Sequence, residues 1–121
     1  MVIIRLIRKF CWKWNRLNEF KIHIKIIELK DEEPYDNILN EQLPWYLKWV
    51  SQYVVPNLIK YGKSIIIHPC IIAKQTNNED IINSIRTKEL IKLNVQDVIV
   101  TATEYIGFKI LNSEITFEKI V

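Results

Sequence analysis

His68 and Cys70 stand two residues apart in the stretch IIIHPCIIAKQ, residues 65–75, inside the most apolar part of the chain. An imidazole beside a thiol invites a metal site or an activated nucleophile. The remaining inventory argues against both. The only other thiol and imidazole are Cys11 and His23, and without a CxxC step these four do not form a zinc set by spacing. Cys70 follows a proline in a strand-like run, not a helix N-terminus that would favour its thiolate. His23 falls on the polar side of an alternating run and reads as a solvent-facing strand residue. The adjacent carboxylates of DEEPYD, residues 31–36, sit in one loop and do not converge on a point. The sequence shows no Gly-rich phosphate loop, no HExxH and no nucleophile paired with a base. The expectation is a protein without catalysis, cofactor, metal or small-molecule substrate.

The elements that must position these residues follow from periodicity. FKIHIKIIELK, from residue 20, alternates apolar and polar residues and predicts a half-buried strand. Pro44 suits the first turn of a helix. Trp45, Leu47, Trp49, Val50, Tyr53 and Val54 then give a broad apolar stripe, read as core. Pro56 lacks an amide and clashes with the preceding turn, so the helix is expected to stop near Val54 or to run kinked to Gly62. Residues 64–73 are rich in β-branched side chains and predict a second strand. KQTNNED, 74–80, reads as a polar tip, and 81–94 as the returning strand of a long hairpin. Residues 95–111 leave strand and helix both open: β-branched content favours strand, while Val95, Ile99, Ala102 and Ile106 keep helical spacing. EITFEKIV alternates as a last strand.

At 121 residues and 49% hydrophobic, one domain with a real core is expected. The net charge of +3 suits an anionic partner without demanding one. No apolar run approaches the ~18–20 residues of a membrane span. Residues 1–19 carry Arg5, Arg8, Lys9, Lys13 and Arg16 against Glu19, with Phe10, Trp12 and Trp14 interleaved. Charges interrupt the apolar run too often for a secretory signal, so a retained basic arm is expected. Such a mixture fits either RNA or a protein surface. Ile, Lys and Asn fill 46 positions while Gly and Ala supply two each, the mark of AT-rich coding such as an organelle's or a parasite's.

The order strand, helix, long hairpin, helix, strand is that of an α+β, ferredoxin-like βαββαβ fold. Over residues 20–121 the chain resembles the universal small-subunit ribosomal protein S-ten family. Val55-Pro56-Asn57, His68-Pro69-Cys70, Ile85-Arg86-Thr87 and Leu90-Ile91 stand where that family has Leu-Pro-Thr, Ser-Pro-His, Ile-Arg-Thr and Leu-Ile. The resemblance is also what tips 96–110 towards helix. It departs at His-Pro-Cys, which displaces the family's histidine, and at a tip less basic than the family's.

The resemblance implies a structural constituent of the ribosome: an N-terminal basic arm (1–19) and a domain (20–121) whose protruding hairpin, between the expected second and third strands, reaches ribosomal RNA and neighbouring proteins of the small-subunit head. Divergence with AT-rich coding points to a mitochondrial ribosome in the matrix. Lys63, Lys74, Arg86 and Lys88 would neutralise phosphates, Thr87 and Asn77 would add hydrogen bonds, and His68 would touch a phosphate. Arg5, Arg8, Lys9, Lys13 and Arg16 of the arm would add to them. Contacts of this kind fix position without reading sequence. Two alternatives stand beside this one. A free-standing protein-interaction module, viral or regulatory, would use the aromatic arm. A barrel like ribosomal protein S-seventeen would need 44–54 to be an insertion.

Overall fold

The computed structural model describes residues 2–11, 19–35, 37–61, 64–88 and 97–121. Six strands form one sheet: β1 (Val2–Cys11), β2 (Glu19–Leu29), β3 (Ser64–Lys74), β4 (Val98–Val100), β5 (Glu104–Leu111) and β6 (Glu114–Lys119). Their order is β1-β2-β3-β5-β6, with β4 also pairing β3. The three inner positions run parallel, and β1 and β6 are antiparallel at the two edges. The protein is therefore mixed α and β, as expected.

The connections differ from the expected ones. Residues 81–87, assigned to a returning strand, lie in helix α3 (Glu79–Thr87), so no hairpin leaves β3. Asn78 caps this helix: its Oδ1 accepts from the Asp80 and Ile81 amides at 3.0 and 3.4 Å. Glu79 and Asp80 place negative charge in the first turn, where the helix dipole favours it. Ile82 and Ile85, three apart, are the buried pair. A parallel β3–β5 ladder needs such a crossover.

Where a helix is expected over 96–110, the described residues from 97 onward form β4 and β5 instead, so β-branched content prevailed over apparent helical spacing. Residues 2–11 of the expected arm form an edge strand on β2. Glu19 of that arm begins β2, while residues 1 and 12–18, and 89–94 of the expected third strand, lie outside the described residues. Three strand expectations hold: β2 at the alternating run, β3 at the β-branched run from Ser64, and β6 at EITFEK.

Between β2 and β3 the chain stays helical from Ile38 to Tyr61, past both prolines. A π turn, Ile38–Gln42, precedes α1 (Leu43–Trp49), and a second, Val50–Val54, precedes α2 (Val55–Leu58) and a final 3₁₀ turn. Each wide turn relieves the ring-to-carbonyl clash that a proline makes in a regular helix, which is why Pro56 does not end it.

The helices cover one face of the sheet. Ile22, Ile24 and Ile26 of β2, Ile65, Ile67 and Ile71 of β3, and Tyr105 of β5 meet Leu43, Leu47, Val50, Val55 and Ile85 in one core. Burying each such side chain fully contributes about 1.5–3 kcal/mol. Trp45, Trp49 and Tyr53, expected in this core, are exposed instead. Their spacing of four carries them along the outer side of the helix, away from Leu43, Leu47 and Val50.

Pro69 was expected at an edge or bend, yet β3 is central and runs straight through it. Lys30 donates to the Ile72 carbonyl on the β2 side, while Ile65 donates to Asp97 and Thr101 donates to Ile67 on the other. Odd-numbered residues of β3 therefore turn their backbone groups towards β4 and β5. The β4 ladder ends at Ile67↔Val100 and the β5 ladder starts at Cys70↔Glu104. Three steps on β3 thus face four on its neighbour, a bulge, and the missing Pro69 amide falls there.

Candidate functional site

The second face of the sheet carries no described helix, and alternation sends every other strand side chain there. His23 and Lys25 of β2, His68 and Cys70 of β3, and Glu104 of β5 share it. His23 stands opposite Ile66 and His68 opposite Lys25, so the two histidines are diagonal neighbours on parallel strands. Their rings lie 9° from parallel, with centroids 5.1 Å apart. His23 Nδ1 is 2.8 Å from His68 Nε2. Thr101 Oγ1, in the bulge, lies 3.3 Å from His68 Nδ1.

This is hydrogen-bond geometry. Two ring nitrogens aimed at each other share one proton between them, whereas metal ligands aim their lone pairs at a third point. Among the described residues, no group of three or more His, Cys, Asp or Glu could hold a metal ion.

One row along, Lys25 Nζ meets Glu104 Oε2 at 3.6 Å. Cys70 is fully buried beside them. Burial pushes its thiol above the ordinary value, with Lys25 and Glu104 acting in opposite directions, so it is a poor nucleophile at neutral pH.

The strand register adds charge. Arg5 stands opposite Lys25, and Lys9 opposite Lys21. Eight of the 17 cations and two of the 14 acids fall within residues 1–30, which makes that segment +6 and the remainder −3. At the other end of the uncovered face Phe108 is opposite Phe117 and Ile110 opposite Ile115. Ile110, Ile115 and Phe117 are 57–64% exposed there. A shallow depression lined by Leu29, Lys30, Asp31, Glu32 and Phe108 borders this apolar end.

The residues expected to bind RNA divide into separate groups. His68 lies on the uncovered face, with exposed Lys74 at the end of the same strand. Asn77 is exposed in the loop before α3. Arg86, Thr87 and Lys88 end α3, on the opposite, helical side. Arg86 Nη1 donates to Asn83 Oδ1 at 3.2 Å, Thr87 Oγ1 to the Asn83 carbonyl at 2.8 Å, and Lys88 Nζ to Asn40 Oδ1 at 2.6 Å. Arg5, Arg8 and Lys9 lie along β1. Lys13, Arg16 and Lys63 are outside the described residues.

Sequence reasoning missed Lys21, His23, Lys25, Thr101 and Glu104 as members of one surface. Alternation already put His23 and Lys25 on the polar side of β2. The partners on β3 and β5 depend on a register that no local pattern encodes.

Set against protein-family models, curated proteins and solved structures, the chain finds no match in any of the three. Among the described residues no helix is long and apolar enough to cross a membrane.

Proposed function

We propose that this chain is a non-catalytic RNA-binding component of a ribonucleoprotein particle, the particle being the small subunit of a mitochondrial ribosome. The identity of the particle takes its support from sequence resemblance alone, and the hairpin through which that family reaches RNA is here a strand followed by a helix. The contact surface takes its support from one observation: β1 and β2 set cation opposite cation at two positions of a segment carrying +6. Like charges directly opposite destabilise a strand pair. A phosphate seated between them turns repulsion into two attractions. Lys25, held near Glu104, and exposed Lys21 are the described side chains at these positions.

The test is binding of the purified full chain to RNA oligomers across a salt series. Lys9→Ala and Lys21→Ala should each weaken binding and reduce the salt slope by about 1. Equal binding by both variants, with loss on Arg86→Glu, would move the contact to the helical side and overturn the assignment of this face. Sedimentation addresses the particle: a tagged chain that never travels with a ribosomal subunit is not a ribosomal protein.

A second reading, an interaction module outside translation, takes its support from exposed Ile110, Leu111, Ile115 and Phe117. RNA-independent capture of the chain by a partner protein favours it.

A further inference from the structure

The β5–β6 hairpin closes through Asn112 and Ser113, whose φ angles are 50° and 66°. Two successive positive φ values make a type I′ turn, the two-residue connection that matches strand twist. In such a hairpin the closing pair, Leu111 and Glu114, exchanges backbone hydrogen bonds, and bonding then alternates along the ladder. Glu114, Thr116 and Glu118 therefore spend their backbone groups on β5. The N–H and C=O groups of Ile115, Phe117 and Lys119 face outward from the edge of the sheet. All six residues of β6 are exposed, with Ile115 at 57% and Phe117 at 64%. An edge of this kind is a template for another strand.

We infer that the strand it takes is β6 of a second copy, paired antiparallel about a two-fold axis at Phe117. Residues opposite one another in an antiparallel pair point to the same face, so a symmetric pairing joins residues of like parity and its axis passes through a residue. Centred on Thr116, the pairing sets Glu114 against Glu118 of the other copy, twice. Centred on Phe117, it sets Phe117 against Phe117, Ile115 against the aliphatic stem of Lys119, and Thr116 against Glu118. The second register contains no like-charge pair and satisfies the outward groups of Ile115, Phe117 and Lys119 on both copies. Cross-strand aromatic contacts and the covered stem of a lysine both favour it. The axis runs normal to the sheet, so both copies keep their uncovered faces on one side. The inference stands whether or not that face binds RNA.

The experiment is sedimentation equilibrium of the purified full chain over a wide concentration range. The weight-average mass should climb from 14.5 kDa towards twice that value. Phe117→Lys and Phe117→Glu should each stay monomeric, with circular dichroism reporting an intact fold, because each sets like charges on the axis. Mixed in equal amounts, the two should pair again, since Lys then faces Glu at the centre. A wild-type chain that remains monomeric at every concentration overturns the proposal. So does a mixture that fails to pair, which would place the axis elsewhere, or a wild-type dimer that both variants leave intact.

Discussion

His23 Nδ1 and His68 Nε2, the ring atoms of the only two histidines in the chain, lie 2.8 Å apart on adjacent parallel strands. One ring must donate and the other accept, so each side chain contributes through its partner. His23→Ala and His68→Ala should be non-additive, with a coupling of about 0.5–1.5 kcal/mol in a double-mutant cycle. Urea denaturation of the four proteins measures it, and additivity would mean the contact contributes nothing in solution.

Tyr105 is buried, and its hydroxyl donates to the Lys74 carbonyl at 2.8 Å while accepting from the Thr76 amide at 3.1 Å. Tyr105→Phe leaves the buried Thr76 amide and the part-buried Lys74 carbonyl without that partner and should cost about 1–3 kcal/mol by denaturant unfolding.

Burial also raises the Tyr105 pKa above its ordinary 10.0. The folded chain then holds the phenol proton more tightly than the unfolded chain. This contribution to stability is full below pH 10 and is lost as the pH climbs through the raised folded value. Tyr105→Phe should flatten that alkaline loss in a pH series of unfolding curves. An unchanged alkaline limb would assign the loss to another group.

Asn78 carries the start of α3, which the parallel β3–β5 ladder requires. Asn78→Ala should lower stability by about 1 kcal/mol, and Asn78→Gly by only a few tenths. Equal losses would point to a contact other than the cap.

The Cys70 thiol is buried and held towards its protonated form. In a Cys11→Ser background, iodoacetamide should label the native protein far more slowly than the urea-unfolded chain at the same pH. Mass spectrometry reads the ratio, and equal rates would show that the thiol is open to solvent.

The alternating runs at β2 and β6 were legible because each has one buried and one wet face, or lies at an edge, and period two survives in both settings. The run from Ser64 was legible as a strand from its isoleucines, but its destination was not. α3 had its signals in plain view: Asn78, two acids behind it, then Ile82 and Ile85. Read as a return strand, those isoleucines agreed equally well with a hairpin, and the polar run between two apolar ones favoured that choice wrongly. In 95–111 the β-branched content was the better guide, and the helical spacing was coincidence in an isoleucine-rich chain. The uncovered face was half legible. Alternation marks Lys21, His23 and Lys25 as companions, but only the pairing of β2 with β3 and β3 with β5 brings His68, Thr101 and Glu104 to them.

Pro69 has a consequence for how the chain finds its alignment. Slipping a parallel strand by two residues leaves every side chain on its proper face, and Ile65, Ile67, Ile71 and Ala73 would fit such a shift with little complaint. An isoleucine-rich strand is thus nearly blind to its own position. The proline is the one asymmetric mark on it. Only in the native alignment does the absent amide meet the bulge at 101–103, and after a slip it would face a carbonyl left without a donor. Pro69 works as a key cut into an otherwise repetitive strand, admitting one alignment and rejecting its neighbours two residues either way.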